Sequence, residues 1–572
     1  MNRFAKVFLT ATLVTSAVSA QTPSIGGVLN AASYSRPPLP NSSIAQGSIF
    51  AIFGSSLGPA GLATAAAYPL PTSEGLVGTT ITVTSGGTSA HAILLAVTPS
   101  QVNAVLPNNV PTGAAQVSVT ANGQTSDPFA ITVVPRSFGI FTANAAGTGP
   151  AIITSANYVL TTLRTSAHPG DVVILWGTGL GAGTTDESLA PPPQINLLNT
   201  GLALDVWVAN QKARVLYAGR AAFTGEDQIN FQIPSGVSGC YVSVTVAVGG
   251  TVSNFASLAV DPSGASCADA NGISSAALEA AVQTGGKARV GSVNLTSYNL
   301  QVTPVNVPIT LNLLSDMGSA TFASYSDAQL SASQGFAQQP SVGSCMVTPF
   351  LGTTFYSSSD SILSQGTPLD AGSHLSISGS PGTKTMTRGS AGAYAGTLGG
   401  MPIDQALIYG CNPCNPSFLV PGKFTITGSG GAEVGPFSAT ASVPPTLIWT
   451  NEYQFSTIDR AQDLSVAWSG GDPDGFVTVF AMASTTNTSY GPYPTTPGAE
   501  FLCIAKNSAH IFTVPSVVLS SLPATLDTGG NVMPLGFLLV GQSKLSETFT
   551  ATGLDAGYVF YLSYGGKNLG FK

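Results

Sequence analysis

The chain repeats itself. GSIFAIFGSSLG from Gly47 returns as GDVVILWGTGLG from Gly170, QVNAVLP from Gln101 returns as QINFQIP from Gln228, and VSVTANGQTSDPFAITV from Val117 returns as VSVTVAVGGTVSNFASLAV from Val242. The blocks keep their order at shifts of 123, 127 and 125 residues. A drift that small is what loop insertions leave after one domain has been duplicated. Each block joins short apolar runs to Gly, Pro or Asn turns. The duplicated unit is therefore expected to be a β-domain of about a hundred residues.

Strand signals fall near 49–53, 80–83, 92–97, 102–106, 117–120 and 130–134 in the first copy. In the second they fall near 172–176, 203–208, 214–217, 228–233 and 241–248. No helix-length crossover separates them, which favours a sandwich over a parallel α/β sheet. The expectation is an all-β fold. After a lead-in at 21–46 come tandem Ig-like β-sandwiches at 47–135 and 149–261, then a linker at 262–275. One or two further β-sandwich-like modules follow at 276–440 and 441–572, with further strands near 446–450, 464–468, 476–483, 501–505, 511–514, 535–540, 547–551 and 558–564. SSAALEAAVQTGG predicts one short helix near 274–284, from its Ala and Leu propensity and its Gly285-Gly286 stop. The Gly/Ser-rich stretches between about 352 and 400 read as long loops.

Charged residues are 8% of the chain, against about 25% in ordinary soluble domains. The 44% hydrophobic content supplies cores and argues against disorder. A net charge of -8 with no Lys/Arg-rich run excludes nucleic acid, which demands clustered positive charge, and anionic lipid surfaces. Residues 1–20 have the form of a secretory signal. Arg3 and Lys6 precede an apolar stretch, and Val18-Ser19-Ala20 forms a small-residue cleavage site. That stretch is too short to span a bilayer, so no membrane span is expected after cleavage. The expected location is extracellular or at the cell surface, with the periplasm as an alternative.

In an exported chain, six cysteines point to disulfides. Cys240 with Cys267, Cys345 with Cys503 and Cys411 with Cys414 are candidate pairs, among the fifteen pairings six cysteines allow. CNPC at Cys411 also admits metal or redox chemistry, although a thiolate-stabilising helix start is not evident there.

Other motifs have bland readings. Gly54-Ser55-Ser56-Leu57-Gly58 matches a nucleophile elbow, but Pro59 and Gly61 replace the helix that chemistry needs. The second copy has Gly179 for the middle Ser. Gly177, Gly179, Gly181 and Gly183 form a Gly-rich loop without a following helix to hold phosphate. His91, His168, His374 and His510 form no zinc-binding motif. Asp472-Pro473-Asp474-Gly475 is a hairpin turn or a minimal calcium loop. Tyr490 and Tyr493, in NTSYGPYPTTPG, form a possible ligand-contact loop for a sugar or partner surface. No cofactor, metal or catalytic residue is assigned.

GVLNAASY from Gly27, HPGDVVILWGTGLG from His168 and VLYAGRAAFTGEDQINFQIPSGVSGCYVSVTVAVGG from Val215 resemble a family of acidobacterial (Solibacter-type) secreted proteins of unknown function. The strand–Gly-x-x-Leu-Gly pieces are similar to the opening of IPT/TIG immunoglobulin-like domains. The resemblance covers about 27 to 265. It implies export and Ig-like sandwiches and brings no catalytic residue to this chain. The expected function is a secreted, non-catalytic adhesion or ligand-binding scaffold whose partner is an extracellular glycan or surface protein. The alternative is an extracellular, glycosidase-like hydrolase with its site in the C-terminal half. Asp404, Glu433, Asp459 and Asp463 are its available carboxylates.

Overall fold

The computed structural model describes residues 21–270, 275–303, 310–327, 329, 339–352, 366–402, 405, 416–485, 496–525 and 536–572. It is almost entirely β-strand. In the first sandwich one sheet runs Ser24–Asn30, Ile49–Ser55, Gln101–Val105, Ile93–Val97, Ala63–Thr64 in spatial order. The other runs Ile44–Ala45, Phe129–Val134, Gly113–Ala121, Thr79–Ser85, Thr88–His91. Alternation sends Phe50, Ile52 and Val102 from one sheet against Ile81, Val83, Val117 and Val119 from the other. The segment expected as a lead-in supplies a strand of this sandwich. Ser24–Asn30 pairs antiparallel with Ile49–Ser55 and buries Val28 in the same core.

The second sandwich turns on one long strand, Gln211–Arg220. One end pairs with Leu204–Val208 and the other with Asp227–Gln232. A bulge between Val215 and Tyr217 gives the local twist that lets one strand serve both layers. Val173, Leu175, Ile229 and Phe231 meet Val206, Val244 and Val246 in its core.

Beyond the helix, Ser275–Gly285, the pairing is less local. One sheet of 13 strands extends from Cys345–Gly352 at one edge to Phe437–Val443 at the other. Ala288–Val302 lies beside Leu311–Tyr325 on one side and parallel to Ala556–Asn568 on the other. Hydrogen bonding thus joins residues on both sides of position 440. The stretch read as long loops contains His374–Gly379, Gly382–Arg388 and Tyr394–Gly400, with 353–365 outside the described residues. Leu375 and Ile377 face inward while His374, Ser376 and Ser378 occupy the outward positions. That polar half of the alternation is why the stretch reads as loop.

The pieces are fused. Trp207, Ala247, Val252 and Phe255 of the second sandwich pack into the core of the C-terminal sheet, as does Leu39 from the N-terminal segment. Ser341 Oγ donates to Asp269 at 2.6 Å and accepts from the Tyr241 amide at 3.0 Å. No helix among the described residues is long and apolar enough to cross a membrane.

Candidate functional site: the joint between the repeats

Among the described residues the most concentrated buried charge lies where the sandwiches meet. Arg220 ends its strand 6% exposed, beside Glu187 and Asp227 at 2% and 1%. Its Nε donates to Glu187 Oε1 at 2.8 Å and a terminal nitrogen donates to Asp227 Oδ1 at 2.5 Å. The other terminal nitrogen reaches the carbonyls of Gly47 in the first sandwich and Gly181 in the second, at 2.8 and 3.1 Å. One cation faces two carboxylates, and backbone amides complete the set. Gly179 and Leu180 donate to Asp227 Oδ2, both at 2.7 Å, and Gly225 donates to Glu187 Oε2 at 2.9 Å. Burial pushes the Asp227 carboxyl up, while Arg220 and the two amides pull it back. For Arg220, desolvation works against the charge, and the paired carboxylates hold it above its ordinary value.

The Gly-rich loop is the other half of this joint. Gly183 N donates to Asn108 Oδ1 at 2.8 Å, and Asn108 Nδ2 donates to the Thr185 carbonyl at 2.9 Å. Thr178 Oγ1 accepts from Ile49 N at 2.8 Å. Gly47 has φ +70, and a Cβ there would sit 2.3 Å from the Arg220 guanidinium. The cavity beside Arg220 and Asp227 is about 30 Å³, room for about one water and no substrate. Chemically the cluster is a latch whose polar capacity is spent inside the protein.

Sequence reasoning missed it. The signal was local, because Arg220, Glu226 and Asp227 crowd one short stretch of a charge-poor chain.

Disulfides Cys240–Cys267 and Cys345–Cys503 are formed, with Cα atoms 5.2 and 4.0 Å apart. The second lies directly across two paired strands. Cys411, Cys414, Tyr490, Tyr493 and Asp404 lie outside the described residues. Ser56 has φ 56, and its counterpart Gly179 has φ 112. Both copies therefore use this position for a left-handed turn. His168 Nδ1 lies 3.0 Å from Asp171 Oδ2, His374 Nδ1 contacts Ser373 Oγ at 2.9 Å, and His510 sits at φ 58 after a short turn. His91 ends its own strand, far along the chain from these. In the Asp472 turn, Asp472 Oδ2 pairs with Lys544 at 2.5 Å and its Oδ1 accepts from the Asp474 amide. Among the described residues no group of three or more His, Cys, Asp or Glu side chains could hold a metal ion.

The described carboxylates of the hydrolase alternative accept backbone amides. Glu433 accepts from Asp370 N, Asp459 from Ala461 N and Asp463 from Ser516 N. An open groove of about 410 Å³ is lined by Lys287, Arg289, Ser324, Thr367, Leu369 and Glu433. Glu433 is the single carboxylate on that lining, and a glycosidase needs two.

One more carboxyl, partly buried, stands apart. Glu500 sits between Thr348 and Met482 in register. Its sheet face carries Phe480, Met482 and the stacked pair Tyr298 and Tyr564, whose centroids are 5.6 Å apart. Burial pushes Glu500 up to about 7. Its charge contributes to raising both tyrosines, after burial.

No family model matches this chain, and no curated protein matches it. Solved structures do. A structural genomics protein of unknown function from Bacteroides thetaiotaomicron is similar at 8% identity, over 54% of this chain and 58% of its own, with a TM-score of 0.14. The extracellular region of plexin A4 is similar at 10% identity, over 85% of this chain and 30% of its own, with a TM-score of 0.15. SGBP-B from a complex xyloglucan utilization locus in Bacteroides uniformis is similar at 9% identity, over 86% and 98%, with a TM-score of 0.13. The chain spans less than two thirds of the length of the first two. Likeness at these TM-scores carries no argument about function.

Proposed function

We propose that this chain is a secreted, non-catalytic scaffold that acts outside the cell or at its surface and binds an extracellular glycan or surface protein. On this reading 1–20 is the cleaved signal, and 47–135 and 149–261 are IPT/TIG-like repeats of the acidobacterial secreted type. The linker is 262–275, and 276–440 with 441–572 form the β-rich C-terminal part. The observation that carries the reading is the Arg220 joint. Among the described residues the densest buried charge ties the two sandwiches together, with Arg220 bonded to Glu187 and Asp227 and to the carbonyls of Gly47 and Gly181. A rigid array presents faces and loops to a partner, which is where sandwich proteins bind. The test is a pull-down with the purified mature chain against cell-wall polysaccharide, extracellular polysaccharide and surface-protein fractions. Saturable retention by one fraction is expected. No retention by any of them overturns the scaffold reading.

A further inference from the structure

The duplication extends to a feature outside the three repeated blocks. Phe53 stands opposite Gln101 in the first sandwich, and Ala51 stands opposite Asn103. In the second, Trp176 stands opposite Gln228 and Ile174 opposite Asn230. Each aromatic meets a tyrosine, Tyr34 with Phe53 at 6.1 Å and Tyr158 with Trp176 at 6.2 Å between ring centroids. The tyrosines are 124 residues apart, within the spread of the other blocks. Both sit at positive φ, 50 and 61. That conformation is unfavourable for a bulky residue. An unfavourable backbone kept in both copies, each time setting a tyrosine on an aromatic, marks a specified arrangement.

The row faces away from the core. Val173, Leu175, Ile229 and Phe231 point inward and are buried, so Trp176, Gln228 and Asn230 occupy the outer face. In the first copy Tyr34 and Phe53 are both partly covered. In the second, Tyr158 is 67% exposed on a hairpin held by the Ser155 amide donating to the Val159 carbonyl. Trp176 Nε1 donates to Thr154 Oγ1 at 3.1 Å, so the indole N–H is already satisfied and its ring is positioned. Further along the strand the face closes: the side-chain carbonyl of Asn230 is buried without a hydrogen-bond partner, and Ile174 opposite it is buried. The aromatic–Gln row carries no charge; Arg220 and Asp227 on the neighbouring rung are buried on the opposite face, and the nearest charged residue in register on this face is Arg214, opposite Gln232.

Resting on the scaffold reading above, we propose that the outer face formed by Tyr158, Trp176 and Gln228 binds a neutral polysaccharide. A fixed, amphipathic ring offers its face to the C–H side of a pyranose. The side-chain amide of Gln228 carries a paired donor and acceptor that match neighbouring hydroxyls. An uncharged row offers nothing to a phosphate, a uronate or a basic peptide.

The test is affinity electrophoresis and calorimetry of the mature chain with soluble β-glucan, xylan, mannan, galactan and α-glucan. At least one is expected to retard it, with Tyr158→Ala and Trp176→Ala weakening the affinity tenfold or more and Trp176→Phe retaining most of it. Tyr158 is exposed, so its variant reports on binding even where Trp176→Ala unfolds the domain. Binding unchanged within twofold in Tyr158→Ala and Gln228→Ala overturns this site while the scaffold stands. Retention only by a surface-protein fraction does the same. No retention by any glycan or surface fraction overturns both.

Discussion

The joint around Arg220 and the aromatic strip around Glu500 both take carboxyls out of water, and they meet that penalty differently. Glu187 and Asp227 receive a guanidinium and three amides, so their charge is compensated where it stands. Glu500 has no ion pair among the described residues, and burial among aromatics favours its proton. The first arrangement is directional and fixes two bodies against each other. The second is neutral and adds no geometry. In a chain this poor in charge, a buried ion cluster marks a place where orientation is specified.

The largest expected effect concerns what holds the strip itself. Cys345 and Cys503 are separated by 158 residues, a loop whose closure is worth about 5 kcal/mol in the chain-entropy model. Replacing both with Ser should lower the guanidinium midpoint more than replacing Cys240 and Cys267, whose 27-residue separation corresponds to about 3.5 kcal/mol. Equal losses would remove the loop-length account. Next comes Arg220→Met, which leaves two carboxylates buried without their cation. A loss of about 3 to 5 kcal/mol is expected in denaturant unfolding, and a loss under about 1 kcal/mol would break the contrast between the two regions.

Glu500 should behave oppositely. Its folded form holds the proton to about pH 7, whereas the unfolded chain releases it near 4.5. Its contribution to stability is therefore unaffected below about pH 4.5 and falls as pH rises to about 7. Above that the cost levels off at roughly 3 kcal/mol. Glu500→Gln should unfold at higher denaturant than the parent at pH 8 and match it at pH 4; a variant that is weaker at pH 8 would show the carboxylate to be compensated. The smallest effect is at Ser56. Ser56→Gly gives the first copy the residue the second already has, and should change stability by no more than about 1 kcal/mol, in the stabilising direction.

The repeats, the helix at Ser275–Gly285 and most strands of the two sandwiches follow from local pattern. Alternation in Val242-Ser243-Val244-Thr245-Val246 needs no tertiary information. Strands at His374–Gly379 and Gly382–Arg388 were hidden because their outward halves are Ser, Thr and Lys, residues that also build loops. The separate strand signals near 535–540 and 547–551 belong to one strand, Gly536–Phe549. The Arg220 latch depends on carbonyls at Gly47 and Gly181, acceptors that every residue carries and that no sequence pattern advertises. The tyrosine pair was legible in principle, since NAASY ending at Tyr34 and TSANY ending at Tyr158 repeat at the same spacing as the rest. Its partner aromatics differ, Phe in one copy and Trp in the other, and only strand register brings amides beside them.

Ala556–Asn568 is inserted between Gly536–Phe549 and Ala288–Val302, antiparallel to one and parallel to the other. On the ribosome, the strands near residue 300 emerge long before the neighbour that completes them. Both sandwiches can mature while the rest waits, and the waiting edge is a sticky one. Loss of Ala556–Asn568 would therefore open the middle of the large sheet instead of trimming an edge.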